Sequence, residues 1–375
     1  MKKILKLSIP GAPPGLSLNA FKDLDNPLIN DWEIFVNDAS LRKADCWFVV
    51  EDLPDFDKEC DVPPENIIFL AAETAQPVSH IEESRSMKLF LSQFGKIFTF
   101  HQYIDSRTTS TIPFLPWMIN SNHGDSIWAE HERNVEFFKH MALPEKNKLI
   151  SVICSKQDLT ETHRMRLRFV EQLKNHFGEA LDWYGNGVDS VPEKWDALAP
   201  YRYTIVLENQ KRFNVLTEKI GDAYLAHCYP IYWGAPNIGD FFPDGSYSVV
   251  NIEDFSGSIK EIEKTISGNY AEFNHDQISE SRRLVLNELN FVNRILRIAC
   301  TLEGVNSKKV VLASQEETRM NPKNSNFFLN SLTTQLNRVD KFAHTNFVDI
   351  LKSLYILFRY NRVSQVLTNK IKARK

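Results

Sequence analysis

Glycine is scarce, with 14 among 375 residues. That scarcity argues against a glycine-rich phosphate loop, so any phosphate must be held by side chains and helix N-termini. The one suggestive turn, Gly185-Asn186-Gly187, follows a strand pattern but does not complete G-x-G-x-x-G. Cysteine is also sparse: Cys46, Cys60, Cys154, Cys228 and Cys300 are odd in number, widely spaced and without a CxxC pair. This pattern excludes a disulfide framework and a cysteine zinc site, and reads as the reduced thiols of a cytoplasmic protein. The histidines form no H-E-x-x-H and no i,i+4 pair, so no metal is expected. Neither G-x-S-x-G nor a kinase signature occurs. No apolar run approaches the ~18 residues of a membrane span. The start, MKKILKLSIPGAPP, is basic, but Lys6 breaks its apolar run and Pro10 stops it. A first β-strand is therefore expected there, not a signal peptide. Excess positive charge is lacking too: the net charge is −4, so the chain as a whole is not a nucleic-acid binder.

What is present is an ordinary globular composition, 43% hydrophobic and 25% charged. The length suits two domains with sizeable cores. Strand-like runs at KILKLSI, 46–52, 66–73 and 96–101 alternate with a helical pattern over 80–93. The Ser/Thr/Pro-rich passage over 103–125 reads as a loop and domain boundary, with a helix over 126–142. The alternation then restarts. Strands are expected at 149–155, 181–185, 203–209, 229–234 and 247–252, and helices over 161–176, 217–227 and most of 257–302. Strands separated by helices imply parallel sheets, the doubly wound α/β class, with a ligand at the carboxyl ends of the strands.

The end of the chain differs. From Ile350 onward there is no acid, and seven cations are present: Lys352, Arg359, Arg362, Lys370, Lys372, Arg374 and Lys375. Leu351, Leu354, Tyr355 and Phe358 recur among them at helical spacing. Residues 350–375 are thus a basic amphipathic helix, suited either to an anionic membrane surface or to the protein body. Without those seven, the 44 basic residues fall to 37 against 48 acidic ones. An acidic body that binds a phosphate must place its cations locally.

The stretch 203–255 carries the chemistry. An apolar strand ends in Glu208 and Asn209, and a polar loop leads to Thr217, a suitable N-cap. Glu218 and Lys219 fall in the first helical turn, while Ile220, Ala223, Tyr224 and His227 share one face. A lysine at a helix N-terminus opposes the dipole unless an anion is shared between the two. On the residues alone, Glu218 also reads as a dipole-complementing acid and Lys219 as a surface charge. Asp55 and Asp57 form a D-x-D after Pro54, read as a solvated turn and not as a metal site.

This stretch resembles the signature of the α1,3/4-fucosyltransferases, glycosyltransferase family 10, of the bacterial type. The family pattern is a strand, F-E-N, a loop, Y-V-T-E-K, a helix and P-(I/V)-Y/V-W/L-G. Here it stands as LEN at 207–209, VLTEK at 215–219 and PIYWG at 230–234. Leu207 and Val215 replace the family's aromatics, and Phe213 lies two residues before Val215. The family's Arg seven residues before a Leu matches Arg166 and Leu173, with Arg164 and Arg168 nearby. Helical phase turns only one of the three towards a given ligand. In FLAAETAQP, Glu73 stands four residues before Pro77, as the glutamate of the bacterial G-E-N-E-S-P does.

The resemblance implies a GT-B architecture, two Rossmann-like domains facing across a cleft with C-terminal helices. It places an acceptor domain at 1–145, a GDP-sugar domain at 146–305 and a helical extension with the basic tail at 306–375. It implies an inverting transfer of fucose from GDP-fucose to an N-acetylglucosamine-containing glycan, forming an α1,3 linkage in surface polysaccharide or glycan synthesis. No cofactor or metal is required. Glu73 is then the base. Arg166 and Lys219 stabilise the leaving diphosphate, and Glu208, Asn209, Val215, Thr217 and Glu218 contact the donor. Cytoplasmic localisation, on the inner face of the membrane if the tail docks there, completes the expectation. The alternatives are another nucleotide-sugar donor, a non-catalytic nucleotide- or glycan-binding protein, and a peripheral membrane scaffold built on the tail.

Overall fold

The computed structural model describes residues 2–72, 85–101, 105–120, 133–158 and 160–320. Two of the expectations above, Glu73 and the basic tail, lie outside the described residues.

Among the described residues, the first unit holds seven strands: β1 (Lys3–Ser8), β2 (Trp32–Val36), β3 (Cys46–Val50), β4 (Glu59–Val62), β5 (Ile67–Leu70), β6 (Lys96–Thr99) and β7 (Thr108–Ser110). All but β4 form one parallel sheet in the order β2-β1-β3-β5-β6-β7. Alternation along β3 shows why the sheet is closed on both faces. Cys46, Phe48 and Val50 join one core, while Trp47 and Val49 join a second with Phe90 and Phe94. The passage over 103–125, expected to be a loop, contributes β7, whose residues Thr108–Ser110 pair with Ile97–Thr99. Its polar sequence, TTS, hid an edge strand.

The second unit holds β8 (Lys148–Ile153), β9 (Leu181–Tyr184), β10 (Tyr201–Leu207), β11 (Tyr229–Trp233) and β12 (Ser248–Val249). These form a parallel sheet in the order β12-β11-β10-β8-β9. The chain runs from β8 outward to β9, then returns to the other side of β8 with β10. That reversal opens a crevice at the carboxyl ends of β8 and β10, where an open α/β sheet binds its ligand. Two parallel α/β units in tandem are the GT-B arrangement.

The chain then comes back to the first unit. Helix Phe291–Cys300 begins after Asn290, whose side-chain amide donates to the Phe21 carbonyl at 3.0 Å. Arg294 donates to Ile112 and Pro113 carbonyls at 2.8 and 2.7 Å and stacks over Phe114. Strand β13 (Lys308–Val311) pairs antiparallel with β4. Residues from Asn290 onward thus contact the first unit, and the segment after 305 holds a strand before helix Gln315–Met320. Among the described residues, no helix is long and apolar enough to cross a membrane.

The D-x-D corrects one expectation. Asp55 is exposed, but Asp57 is buried and not part of a solvated turn. Its Oδ1 lies 2.6 Å from Lys6 Nζ on β1, and Lys6 is fully enclosed, also donating to the Asp38 carbonyl at 2.9 Å. Among the described residues, no group of His, Cys, Asp or Glu is arranged to hold a metal. Removing one partner of such a pair leaves an uncompensated buried charge. Asp57→Ala is therefore expected to lower the unfolding free energy by about 3 kcal/mol in urea titrations. Lys6→Met with Asp57→Leu should recover most of that loss.

Candidate active site

Glu208 closes β10 and is completely buried, one residue beyond the strand. Its carboxylate accepts the Thr217 backbone N–H at 2.8 Å and the Thr217 hydroxyl at 2.6 Å. The strand end is thereby latched to the start of helix Glu218–Leu225. Close packing makes this possible, because a Cβ on Gly234 would meet Glu208 Cγ at 2.4 Å and the Tyr232 hydroxyl at 2.3 Å. Thr217 stands at the N-cap as expected, but its hydroxyl serves Glu208 and makes no capping bond. The helix so lacks a side-chain cap at its N-cap residue, leaving its positive end available to an anion. The helix is buried nearly all round: Ile220, Ala223 and Tyr224 are enclosed as expected, and so are Gly221, Asp222 and Leu225.

Lys219 is no free surface charge. Its ammonium donates to Thr217 Oγ1 at 3.0 Å and Glu218 Oε1 at 3.1 Å, and lies 3.6 Å from Glu208 Oε2. Burial opposes its charge, but Glu218 and Glu208 hold it protonated above the ordinary lysine range. Burial likewise opposes ionisation of Glu218, yet Lys219 and Lys194 outweigh it and hold this carboxyl at about 2. Both residues stay charged across the physiological range.

Arg166 sits on helix Glu161–Phe177, which follows β8. Of the three neighbouring arginines, Arg164 and Arg168 point outward and pair with Glu161. Arg166 turns inward and is only 7% exposed. It donates to Asn209 Oδ1 at 2.5 Å and approaches Cys154 Sγ at 3.9 Å, while its Nε has no partner among the described residues. Among the described residues it forms no ion pair with a carboxylate. Arg166 and Lys219 are close enough to repel one another, since the arginine works to lower the lysine's pKa. Burial and the Arg166 charge also push the His163 pKa down. The crevice between β8 and β10 thus gathers Arg166, Asn209, Glu208, Thr217, Glu218 and Lys219.

Val215 lies apart from this group. It is 0% exposed and packs into the first unit's core with Phe90 and Phe94, so its side chain has no face towards the crevice. Phe213, two residues earlier, is 64% exposed. Asn214 anchors this loop, donating to Ser110 Oγ at the end of β7 at 2.9 Å. A cavity of about 300 Å³ opens beyond Gly234, lined by Lys211, Trp233, Asn251, Asp254 and Ser258, and includes neither Arg166 nor Lys219.

Two charged residues of the cluster escaped sequence reading. Asp222, one turn after Glu218, is an acid inside an apolar helix, which was a legible signal. Lys194 lies in a loop and carried none.

Residues 143–273 match the family described as Glycosyltransferase family 10 (fucosyltransferase) C-term. The match covers the second unit and the first helices that follow it. A stretch of 67 residues is 42% identical to the alpha-(1,3)-fucosyltransferase FucT of Helicobacter pylori. That stretch is 18% of this chain and spans 13% of the relative's length. An α1,3-fucosyltransferase crystal structure is similar at 17% identity and a TM-score of 0.45, over 73% of this chain and 80% of that one. A second, with GDP-fucose, is similar at 17% identity and a TM-score of 0.43, over 82% and 93%. The matched segment, 143–273, contains every described candidate residue of the crevice.

Glu218 supplies a pH signature. Its folded pKa lies below the ordinary value of 4.5, so its charge stabilises the fold above about pH 4.5. That contribution fades as pH falls towards about 2. It amounts to about 3 kcal/mol at neutral pH. The stability gap between wild type and Glu218→Gln should therefore be widest at pH 7 and narrow by about half at pH 3, as read from urea unfolding at each pH.

Proposed function

We propose that this protein is an inverting fucosyltransferase that uses GDP-fucose and an N-acetylglucosamine-containing acceptor. The observation that carries this reading is Arg166, a buried guanidinium with no carboxylate partner among the described residues, beside Lys219 and an uncapped helix end. A buried cation without a counter-ion calls for an anion, and a diphosphate suits a crevice at the strand ends. The family 10 match over residues 143–273 supports the same donor class.

In this reading the acceptor hydroxyl attacks the anomeric carbon of fucose. A new C–O bond forms as the bond to the diphosphate oxygen breaks, and GDP leaves with the electron pair. Glu73, in the first unit, takes the hydroxyl proton, on the face opposite the leaving group. Arg166 and Lys219 receive the growing charge on the diphosphate, with the helix N-terminus adding its dipole. Asn209 holds the guanidinium, and Glu208 with Thr217 fixes the loop geometry. Glu218 remains anionic beside them, able to hydrogen-bond the donor or to stabilise positive charge at the anomeric carbon. No bound metal is needed when two cations and a helix end meet the diphosphate.

The acceptor lies in surface glycan synthesis, and the α1,3 linkage is the one carried by the relatives' names. A protein at the inner membrane face, held by residues 350–375, fits the charge pattern of that tail. A second reading keeps the site and changes the sugar. Val215, where the family has an aromatic, has its side chain enclosed in the first unit's core. A panel of GDP- and UDP-sugars, followed by nucleotide release, separates the two.

Lys219→Ala is expected to reduce GDP-fucose turnover by about 100-fold or more, with transfer to N-acetyllactosamine measured by mass spectrometry. Undiminished turnover in that variant would sink the site assignment.

A further inference from the structure

Lys194 opens a short helical turn, Lys194–Ala197, that follows β9. The turn is anchored away from the crevice. Trp195 donates its backbone N–H to the Ile119 carbonyl at 2.9 Å, Glu193 pairs with Arg133, and Arg133 lies over the Trp195 ring. From this anchored base the Lys194 ammonium reaches helix Glu218–Leu225. It lies 3.1 Å from Asp222 Oδ2 and 3.8 Å from Glu218 Oε1. Both carboxylate side chains are closed off, at 2% and 9% exposure. Asp222 uses its other oxygen to accept the Met118 backbone N–H at 2.9 Å, so it too is tied to the segment between the two sheets.

We propose that Lys194 is a positioning residue that aims the Glu218 carboxylate at the donor. The geometry is specific. Lys219 and Lys194 both address Glu218 Oε1, at 3.1 and 3.8 Å, so two ammonium groups fix the orientation of the carboxylate through one oxygen. Glu218 and Asp222 are one helical turn apart, and a single ammonium spans both. Asp222 steadies the ammonium, and the Trp195 and Met118 hydrogen bonds steady the parts around it. The inference rests on the proposed function, in which Glu218 faces the donor.

The rival account is purely structural, with Lys194 serving only to neutralise buried Asp222. A double-variant experiment separates them. Lys194→Met alone leaves Asp222 buried without its cation, so it loses stability under either account. Asp222→Asn removes that burden and keeps an acceptor for the Met118 N–H. With Asp222→Asn as reference, adding Lys194→Met should lower kcat for fucose transfer by about tenfold, with GDP affinity changed far less. Adding Lys194→Arg instead should keep most of the reference kcat. Thermal unfolding of each variant checks that the compared proteins are folded. Equal kcat in Asp222→Asn and in Asp222→Asn with Lys194→Met overturns the inference while wild-type transfer stands. Wild-type protein that neither binds GDP nor transfers fucose overturns the proposed function, and this inference with it.

Discussion

One buried carboxylate organises the crevice. Glu208 has no exposure to water, so it must be satisfied from inside, and it is satisfied by both the backbone and the hydroxyl of Thr217. That pair of hydrogen bonds fixes where helix Glu218–Leu225 begins relative to the end of β10. It also takes the N-cap hydroxyl away from its usual capping bond and draws Lys219 to within 3.6 Å. The helix end, the lysine and the strand end are therefore one unit. A change at Glu208 would move all three.

The charges around that latch are unequal in how they are balanced. Lys219 has two carboxylates beside it, and Lys194 has two. Arg166 has an amide oxygen and a thiol. Among the described residues, the cation furthest from neutralisation is thus also the most deeply enclosed of the three, which is costly for a protein with nothing to bind there. The sheet order explains how the three come together. The reversal of direction between β8 and β10 brings the helix after β8 and the helix after β10 to opposite sides of one crevice.

Much of this was legible in the sequence. The strands of the second unit are apolar runs bounded by helical patterns, and all five were expected close to where they lie. Arg166, Glu208, Asn209, Thr217, Glu218 and Lys219 were each singled out, and the structure brings them into one crevice. The misses have physical causes. Strand β7 is short and polar, and β13 is formed by KKVV, an exposed segment that finds its partner β4 some 250 residues earlier. Such pairing leaves no local pattern. Val215 was placed at the donor by its position in a motif, but the loop carries it into the first unit's core. Asp57 looked solvated because Lys6, its partner, is 51 residues away in the chain. Lys194 belongs to a loop whose reach depends on Trp195 and Arg133, which no periodicity reveals.

In the proposed function, Arg166 and Lys219 together hold the diphosphate at the start of helix Glu218–Leu225. A crystal structure with GDP bound tests it most directly. The expected result is a β-phosphate within hydrogen-bonding distance of both Arg166 and Lys219. A nucleotide seated instead in the cavity lined by Lys211 and Trp233, with neither cation touching phosphate, would contradict it.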